Sequence, residues 1–248
     1  MRWALLADIH ANLEALQACL EQAGREGADG YAFVGDLIGY GADPGAVIDI
    51  VEEHARHGAV VVRGNHDAAA LENSAETMNP AAARAVLWTR KQLNQRQVAF
   101  LDSLPLTARR EGILFVHASA ASPGQWTYVT DPARAAESIA MSKGATWIFS
   151  GHVHEPALYF ASGSGRPVPF KPMAGVTIPV EKRRRWLAII GSAGQPRDGR
   201  TEACWALFDD VKQTLAFHRV PYDWAQAAAK VRAAGLPERL AHRLEHGE

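Results

Sequence analysis

The first 62 residues alternate short apolar runs with helical periodicity, and this alternation restricts the chain to a sheet with parallel strands. Arg2-Trp3-Ala4-Leu5-Leu6-Ala7, Tyr31-Ala32-Phe33-Val34 and Ala59-Val60-Val61-Val62 each read as a buried strand. Between the first two, Leu13, Leu16 and Leu20 recur at helical spacing behind Asn12, which suits an N-cap, and Gly24 and Gly27 close the helix. A second helix opens at Pro44 and carries Val47, Ile48 and Val51 to about His57. A β-α-β-α-β series of this kind folds with right-handed crossovers.

From Ala68 to Ser103 the chain turns alanine-rich and helical, with breaks at Pro80 and Asn94, which predicts a helical insertion or cap over 68–103. Leu106 to Arg110 and Ile113 to Val116 suit a hairpin around Glu111-Gly112, Pro132 to Lys143 a helix, and Trp147-Ile148-Phe149 a short strand. After Pro156, short strands near 158–161, 168–171, 186–190, 205–208 and 215–220 suggest a second, mainly antiparallel sheet. Helices near 224–234 and 238–246 follow. No repeat or linker interrupts the chain, so one domain over 1–248 is expected, an α/β (α+β) unit.

A formal charge of -1 leaves no global footprint for nucleic acid, and Lys182-Arg183-Arg184-Arg185 reads as a solvated hairpin tip. Cys19 and Cys204 lack metal or redox spacing and are expected as buried thiols. No apolar run approaches the ~20 residues of a membrane span, and Met1 leads directly into a strand, so a cytoplasmic protein without membrane partners is expected.

Chemistry gathers where the strand-like runs stop. Of ten histidines, five (His10, His66, His117, His152 and His154) follow such runs beside Asp, Asn or Gly. His54, His57, His218, His242 and His246 are expected on the surface. Sites in open α/β sheets lie beyond the carboxyl ends of the strands, so Asp8, His10, Asp36, Asn65, His117, His152 and His154 should converge. Their carboxylate, imidazole and amide donors suit manganese, iron, zinc, cobalt or nickel better than calcium or copper(I). Seven such groups fit two ions sharing a carboxylate, a device that clamps a hydroxide and a phosphoryl centre together.

Asp8-x-His10, Gly35-Asp36, Gly64-Asn65-His66-Asp67, His117 and Gly151-His152-x-His154 resemble the five ordered motifs of the calcineurin-like metallophosphoesterases. The resemblance spans residues 8 to 154 and implies a four-layer α/β/β/α sandwich of two mixed sheets flanked by helices. It further implies that Asp8, His10 and His154 hold one metal and Asn65, His117 and His152 a second, with Asp36 bridging them. Two transition metal ions, with manganese or iron favoured, are the implied cofactors. His66 would stay off the metals and serve the phosphoryl oxygen or leaving group as proton donor. Asp67 would orient its ring, or else cap a helix starting at Ala68.

Other positions carry two readings each. Arg63 suits either a phosphate holder or a salt-bridged structural arginine, and Tyr40 either a substrate contact or, with more weight, a packing residue. Gly191 to Gly199 resembles a loop of the smaller prokaryotic members, in which Gln195 and Arg197 would support the site. Gly39-Tyr40-Gly41 stands where protein serine/threonine phosphatases of the superfamily carry Asp-Arg-Gly, and Asp67 where they carry glutamate. The resemblance is therefore closer to small prokaryotic phosphodiesterases and symmetrical dinucleoside polyphosphate hydrolases. It implies attack by metal-bound hydroxide on a phosphodiester or phosphoanhydride, in a small phosphoester substrate of nucleotide type. A phosphomonoesterase, a non-catalytic protein-binding scaffold and a nuclease are the rival readings. The 68–103 segment and the basic run are candidates to border the pocket.

Overall fold

The computed structural model describes residues 1–72, 78–161 and 165–248. β1 (Arg2–Leu6), α1 (Leu13–Arg25), β2 (Gly30–Val34), α2 (Pro44–Arg56) and β3 (Val60–Val62) realise the β-α-β-α-β series, with parallel β1–β2 and β2–β3 pairing. Asn12 caps α1 by accepting from the Ala15 N–H at 3.1 Å. Three helices follow, α3 (Asn65–Glu72), α4 (Pro80–Arg90) and α5 (Gln95–Ser103). The breaks fall where expected: the Asn79 side chain caps α4, and Asn94 forms a reciprocal capping box with Gln97 on α5. However, α3 starts at Asn65 and not at Ala68, so His66 and Asp67 lie within its first turn. Part of the expected 68–103 segment, residues 73–77, falls outside the described residues.

The later elements are β4 (Thr107–Arg110), β5 (Ile113–Val116), α6 (Pro132–Met141), β6 (Trp147–Ser150), β7 (Ala157–Ala161), β8 (Val168–Phe170), β9 (Thr177–Pro179), β10 (Arg185–Ile189), β11 (Ala203–Asp209) and β12 (Thr214–Val220). Two helices, α7 (Trp224–Ala233) and α8 (Glu238–His246), come last. The strands form two mixed six-stranded sheets, ordered β3-β2-β1-β11-β12-β9 and β4-β5-β6-β10-β7-β8. This corrects the expectation of a separate antiparallel sheet after Pro156. β9, β11 and β12 extend the first sheet, β7, β8 and β10 extend the second, and the β4–β5 hairpin also belongs to the second.

Side-chain alternation explains the layers. In β1, Trp3 and Leu5, with Phe208 of β11, face Phe115 and Phe149 of the second sheet, whereas Ala4 and Leu6 face α1 and α2 with Leu16, Val47 and Val51. A strand buried on both faces has no polar positions, hence the unbroken run Trp3 to Ala7. Leu114, Ile148 and Leu187 of the second sheet cover Ala135 and Ile139 of α6, which completes four layers.

Two surface expectations change. Arg185 is not at a solvated tip: its guanidinium donates to the carbonyls of Ala145 and Ile139 and to Ser142 Oγ, closing the end of α6. Arg184 lies 4.8 Å over the Phe160 ring. This run leads into β10 at the end opposite the loop toward His154, so it does not border the candidate site. His54 and His218 are half-buried, His218 stacked 4.5 Å from Trp205. Cys19 and Cys204 are buried free thiols, as expected. Among the described residues no helix is long and apolar enough to cross a membrane.

Trp205 is fully buried, and its indole N–H donates to Gln22 Oε1 at 2.7 Å. Trp205→Ala should cost about 3–5 kcal/mol in chemical denaturation; a loss below about 1 kcal/mol would contradict this packing.

Candidate metal centre

Loops leaving β1, β2 and β3 in one sheet, and β5 and β6 in the other, bring Asp8, His10, Asp36, Asn65, His66, His117, His152 and His154 into one buried cluster. One group of donor atoms comprises Asp8, His10 and His154, and another Asp36, His117 and His152, each with its ligand atoms within 4.8 Å of one another. Asn65 Oδ1 joins the second group, 3.1 Å from His117 Nε2. Asp36 Oδ2 faces both groups, 3.6 Å from His10 Nε2 and 3.3 Å from His117 Nε2. A third group, His10, Asp36 and His66, shows that proximity alone does not separate His66 from the ligands.

The backbone at these positions is left-handed. Asp8, His10, Asp36, His152 and His154 have φ between 50° and 69°, a region that costs about 1–3 kcal/mol for a residue with a side chain. So many such residues in one cluster mark a site where position outweighs local stability. Gly64 is required for another reason: a Cβ there would collide with the Asp36 carboxylate and backbone N. The Asp36 carboxylate is thereby left free to accept the His66 N–H at 2.8 Å through Oδ1.

Tautomers provide the test of whether a cation fits. The His10 and His154 Nδ1–H groups donate to the carbonyls of Ile38, at 3.1 Å, and Gln195, at 2.6 Å. Both Nε2 atoms therefore present lone pairs, and they lie 3.0 Å apart. Burial holds both imidazoles well below their usual pKa, which favours the neutral form of each. Two facing lone pairs repel unless a cation lies between them, and neutral imidazole is the form that ligates metal. His117 likewise donates Nδ1–H to the Val34 carbonyl at 2.9 Å, turning Nε2 toward Asn65, His152 and Asp36. Such carbonyl-oriented histidines beside carboxylates are the usual outer support of metal ligands.

Burial pushes His66 down to about 4 and His152 down to about 3, and raises Asp8 to about 8 and Asp67 to about 7. Burial also opposes a charge on His117, but the neighbouring Asp36 outweighs it and lifts His117 to about 9. Asp36 is held well below the carboxylate range because His117 and the other imidazoles overcome its burial.

Two predicted roles take a different form. Asp67 neither orients the His66 ring nor caps a helix at Ala68. Its Oδ1 accepts from the Leu37 and Ile38 N–H groups at 3.0 and 3.2 Å, and Oδ2 from Gly64 N–H at 2.8 Å. It reaches back to the residue before α3 and ties the loop after Asp36 to the turn carrying Asn65. Arg63 points away from the cluster, donating to the Asp102 carbonyl at the end of α5, with Asp102 Oδ1 at 3.7 Å; the salt-bridged structural reading matches this geometry. Asn12 is a cap, and its amide also donates to the Gly194 carbonyl at 2.8 Å. Tyr40 packs with α4, α7 and α8 and also lies 4.4 Å from His66.

The sequence reading missed three neighbours. Tyr128 stacks 3.9 Å from His152, Trp126 lies edge-on 6.0 Å from His117, and Arg243 donates to Gln195 Oε1 at 3.4 Å. The first two sit in an irregular loop and the third on a helix remote in sequence, so no periodicity or spacing announced them. A cleft of about 330 Å³ opens onto Asn65, His66 and His152, walled by Tyr40, Trp126 and Tyr128. Ala68, Ala69 and Ala82 also line it, so the helical segment does border the cleft.

Fold and donor set together define a metal-binding hydrolase built on a mixed four-layer sandwich. The calcineurin-like phosphoesterase family model matches residues 1–156. An uncharacterised protein of Methanocaldococcus jannaschii is 32% identical over 246 residues, covering 97% of this chain and 96% of that protein. The crystal structure of a metallophosphoesterase from Sphaerobacter thermophilus superposes with a TM-score of 0.87 at 35% identity, covering 100% of this chain and 99% of that one. A hypothetical protein from Pyrococcus horikoshii OT3 shares the fold, with a TM-score of 0.80 at 20% identity and coverage of 100% and 98%. The chain belongs to the calcineurin-like phosphoesterase family and is a metal-dependent phosphoric ester hydrolase.

In metal-free protein, His10, His66, His152 and His154 are depressed below 6.5, so the unfolded chain binds more protons there once pH falls through that value. Asp8 and Asp67, raised, act oppositely over the same window, but four imidazoles outnumber two carboxyls. The contribution of His117 is complete below 6.5 and is lost only as pH rises through about 9. Melting with chelator present should therefore move to lower temperature between pH 6.5 and pH 4. A flat or rising Tm would contradict the buried neutral imidazoles.

Proposed function

We propose that the chain hydrolyses a phosphodiester or phosphoanhydride bond of a small, nucleotide-type substrate with two transition metal ions, manganese or iron being favoured. The observation that carries this reading is the pair of donor groups joined by one carboxylate, with Asp36 Oδ2 facing both His10 and His117. Asp8, His10 and His154 hold one ion, Asn65, His117 and His152 the other, and Asp36 both. Bound ions supply Lewis acidity and a water of lowered pKa.

His66 acts from the cleft wall. Its Nδ1 is buried without a partner, against Gly39, where a Cβ would clash with it. Burial keeps the ring neutral, so it serves the phosphoryl oxygens or the departing oxygen as a hydrogen-bond donor, and an approaching anion favours its protonation. Asp67 holds the Asn65-His66 turn against the Leu37-Ile38 loop through three backbone N–H groups, which keeps both at fixed distance from Asp36. The cleft is at the lower end of the roughly 300–1,000 Å³ typical of small-ligand sites, which favours a small substrate over a nucleic acid. Residues 1–248 act as one unit in this reading, because the cluster draws on both sheets and on the loop before β11.

Metal analysis followed by a panel of monoester, diester, cyclic nucleotide and dinucleoside polyphosphate substrates tests the reading. His66→Ala should retain metal and lose at least about 10²-fold in kcat, whereas Asp36→Ala should lose bound metal together with activity. Full turnover by chelator-stripped protein would refute metal dependence, and a clear preference for monoesters would move the assignment to a phosphomonoesterase.

A further inference from the structure

Among the described residues, two arginines beside the metal centre hydrogen-bond to neutral groups and form no salt bridge. Arg197, in the loop after β10, donates to Tyr40 Oη at 3.4 Å and to Gln195 Oε1 at 3.2 Å. Arg243, on α8, donates to the same Gln195 oxygen at 3.4 Å. Both guanidiniums are half-buried, and Arg197 Nε is buried without a partner. Among the described residues neither forms a salt bridge, whereas Arg63, Arg219 and Arg232 pair with Asp102, Asp198 and the glutamates 238 and 245. Two like charges sharing one neutral amide oxygen repel each other, and an anion lying between them relieves the repulsion.

Their position indicates which anion. The Tyr40 ring lies 4.5 Å from His10 and 4.4 Å from His66, so the arginines stand one aromatic ring away from the donor cluster. Tyr40 lines the cleft over Asn65, His66 and His152, but neither arginine does. An anion held by them lies next to Tyr40, at the edge of that cleft.

We propose that Arg197 and Arg243 hold, beside the Tyr40 hydroxyl, a second phosphate of the substrate, joined by an anhydride bond to the phosphoryl group at the metal centre. This rests on the phosphoryl hydrolysis proposed above and selects phosphoanhydrides from the substrates considered there. One water is consumed: its oxygen bonds to the phosphorus at the metals, and the P–O–P bond breaks. The bridging oxygen leaves on the second phosphate with its electron pair, and a water proton passes to solvent or to that phosphate. The arginines offset the charge that gathers on this leaving group.

The test compares diadenosine diphosphate, an anhydride, with bis(p-nitrophenyl) phosphate, which has one phosphorus, on metal-loaded wild-type, Arg243→Gln, Arg197→Gln and Arg197→Lys proteins. Each glutamine variant should lose at least tenfold more kcat/KM on the anhydride than on the diester, and Arg197→Lys should lose less than Arg197→Gln. Calorimetry on the same proteins should show inorganic pyrophosphate binding at least tenfold tighter than phosphate, with the margin shrinking in the glutamine variants. Equal losses on both substrates, or no margin for pyrophosphate, would overturn the proposal. Arg243 is on a surface helix, so its variant keeps the test usable if the Arg197 variants misfold. If the wild-type protein hydrolyses neither substrate, the phosphoryl-hydrolysis reading fails, while the pyrophosphate titration still decides on the arginine pair.

Discussion

The Asp36 carboxylate is the constraint on which the rest of this molecule depends. A buried charge is costly unless each oxygen is engaged, and here Oδ1 takes the His66 N–H while Oδ2 faces His10 and His117. That requirement fixes three loops at once. It excludes any side chain at Gly64, and it places Asp36 itself in the left-handed region. Asp67 then secures the arrangement from below, because its two oxygens join the loop after β2 to the turn after β3.

Much of this was legible from residue pattern. The alternation of Trp3, Leu5 and Ala7 with Ala4 and Leu6 marks a strand buried on both faces, and Asn12, Pro80 and Asn94 mark helix starts by local backbone chemistry alone. Strand ends crowded with Asp, Asn and His marked the cluster for a similar reason, since few folds place such groups after apolar runs without using them. Sheet membership after Pro156 was not legible. Whether β11 pairs with β1 or with β10 depends on side chains just over 200 residues apart in sequence, and short strands of either sheet look alike. Roles set by distant partners were equally hidden. Arg63 is drawn outward by the Asp102 carbonyl, and Asp67 is engaged by N–H groups some 30 residues away.

The C-terminal helices add what the matched family region lacks. α7 and α8 pack with α4 around Tyr40, and Lys230 ties α7 to Glu14 at 2.6 Å and Asp43 at 2.8 Å, residues at the starts of α1 and α2. These contacts hold Tyr40 against His10 and His66 from outside, so the cleft wall depends on a segment remote from every metal-type donor.

The donors do not all belong to one sheet. Asp8, Asp36 and Asn65 follow strands of the first, and His117, His152 and His154 follow strands of the second. Ions seated among them would act as a clasp across the seam where the two layers meet. Prising the sheets apart at that edge would then mean breaking coordination bonds as well as apolar contact, which makes the mechanical integrity of the sandwich a function of its metal content.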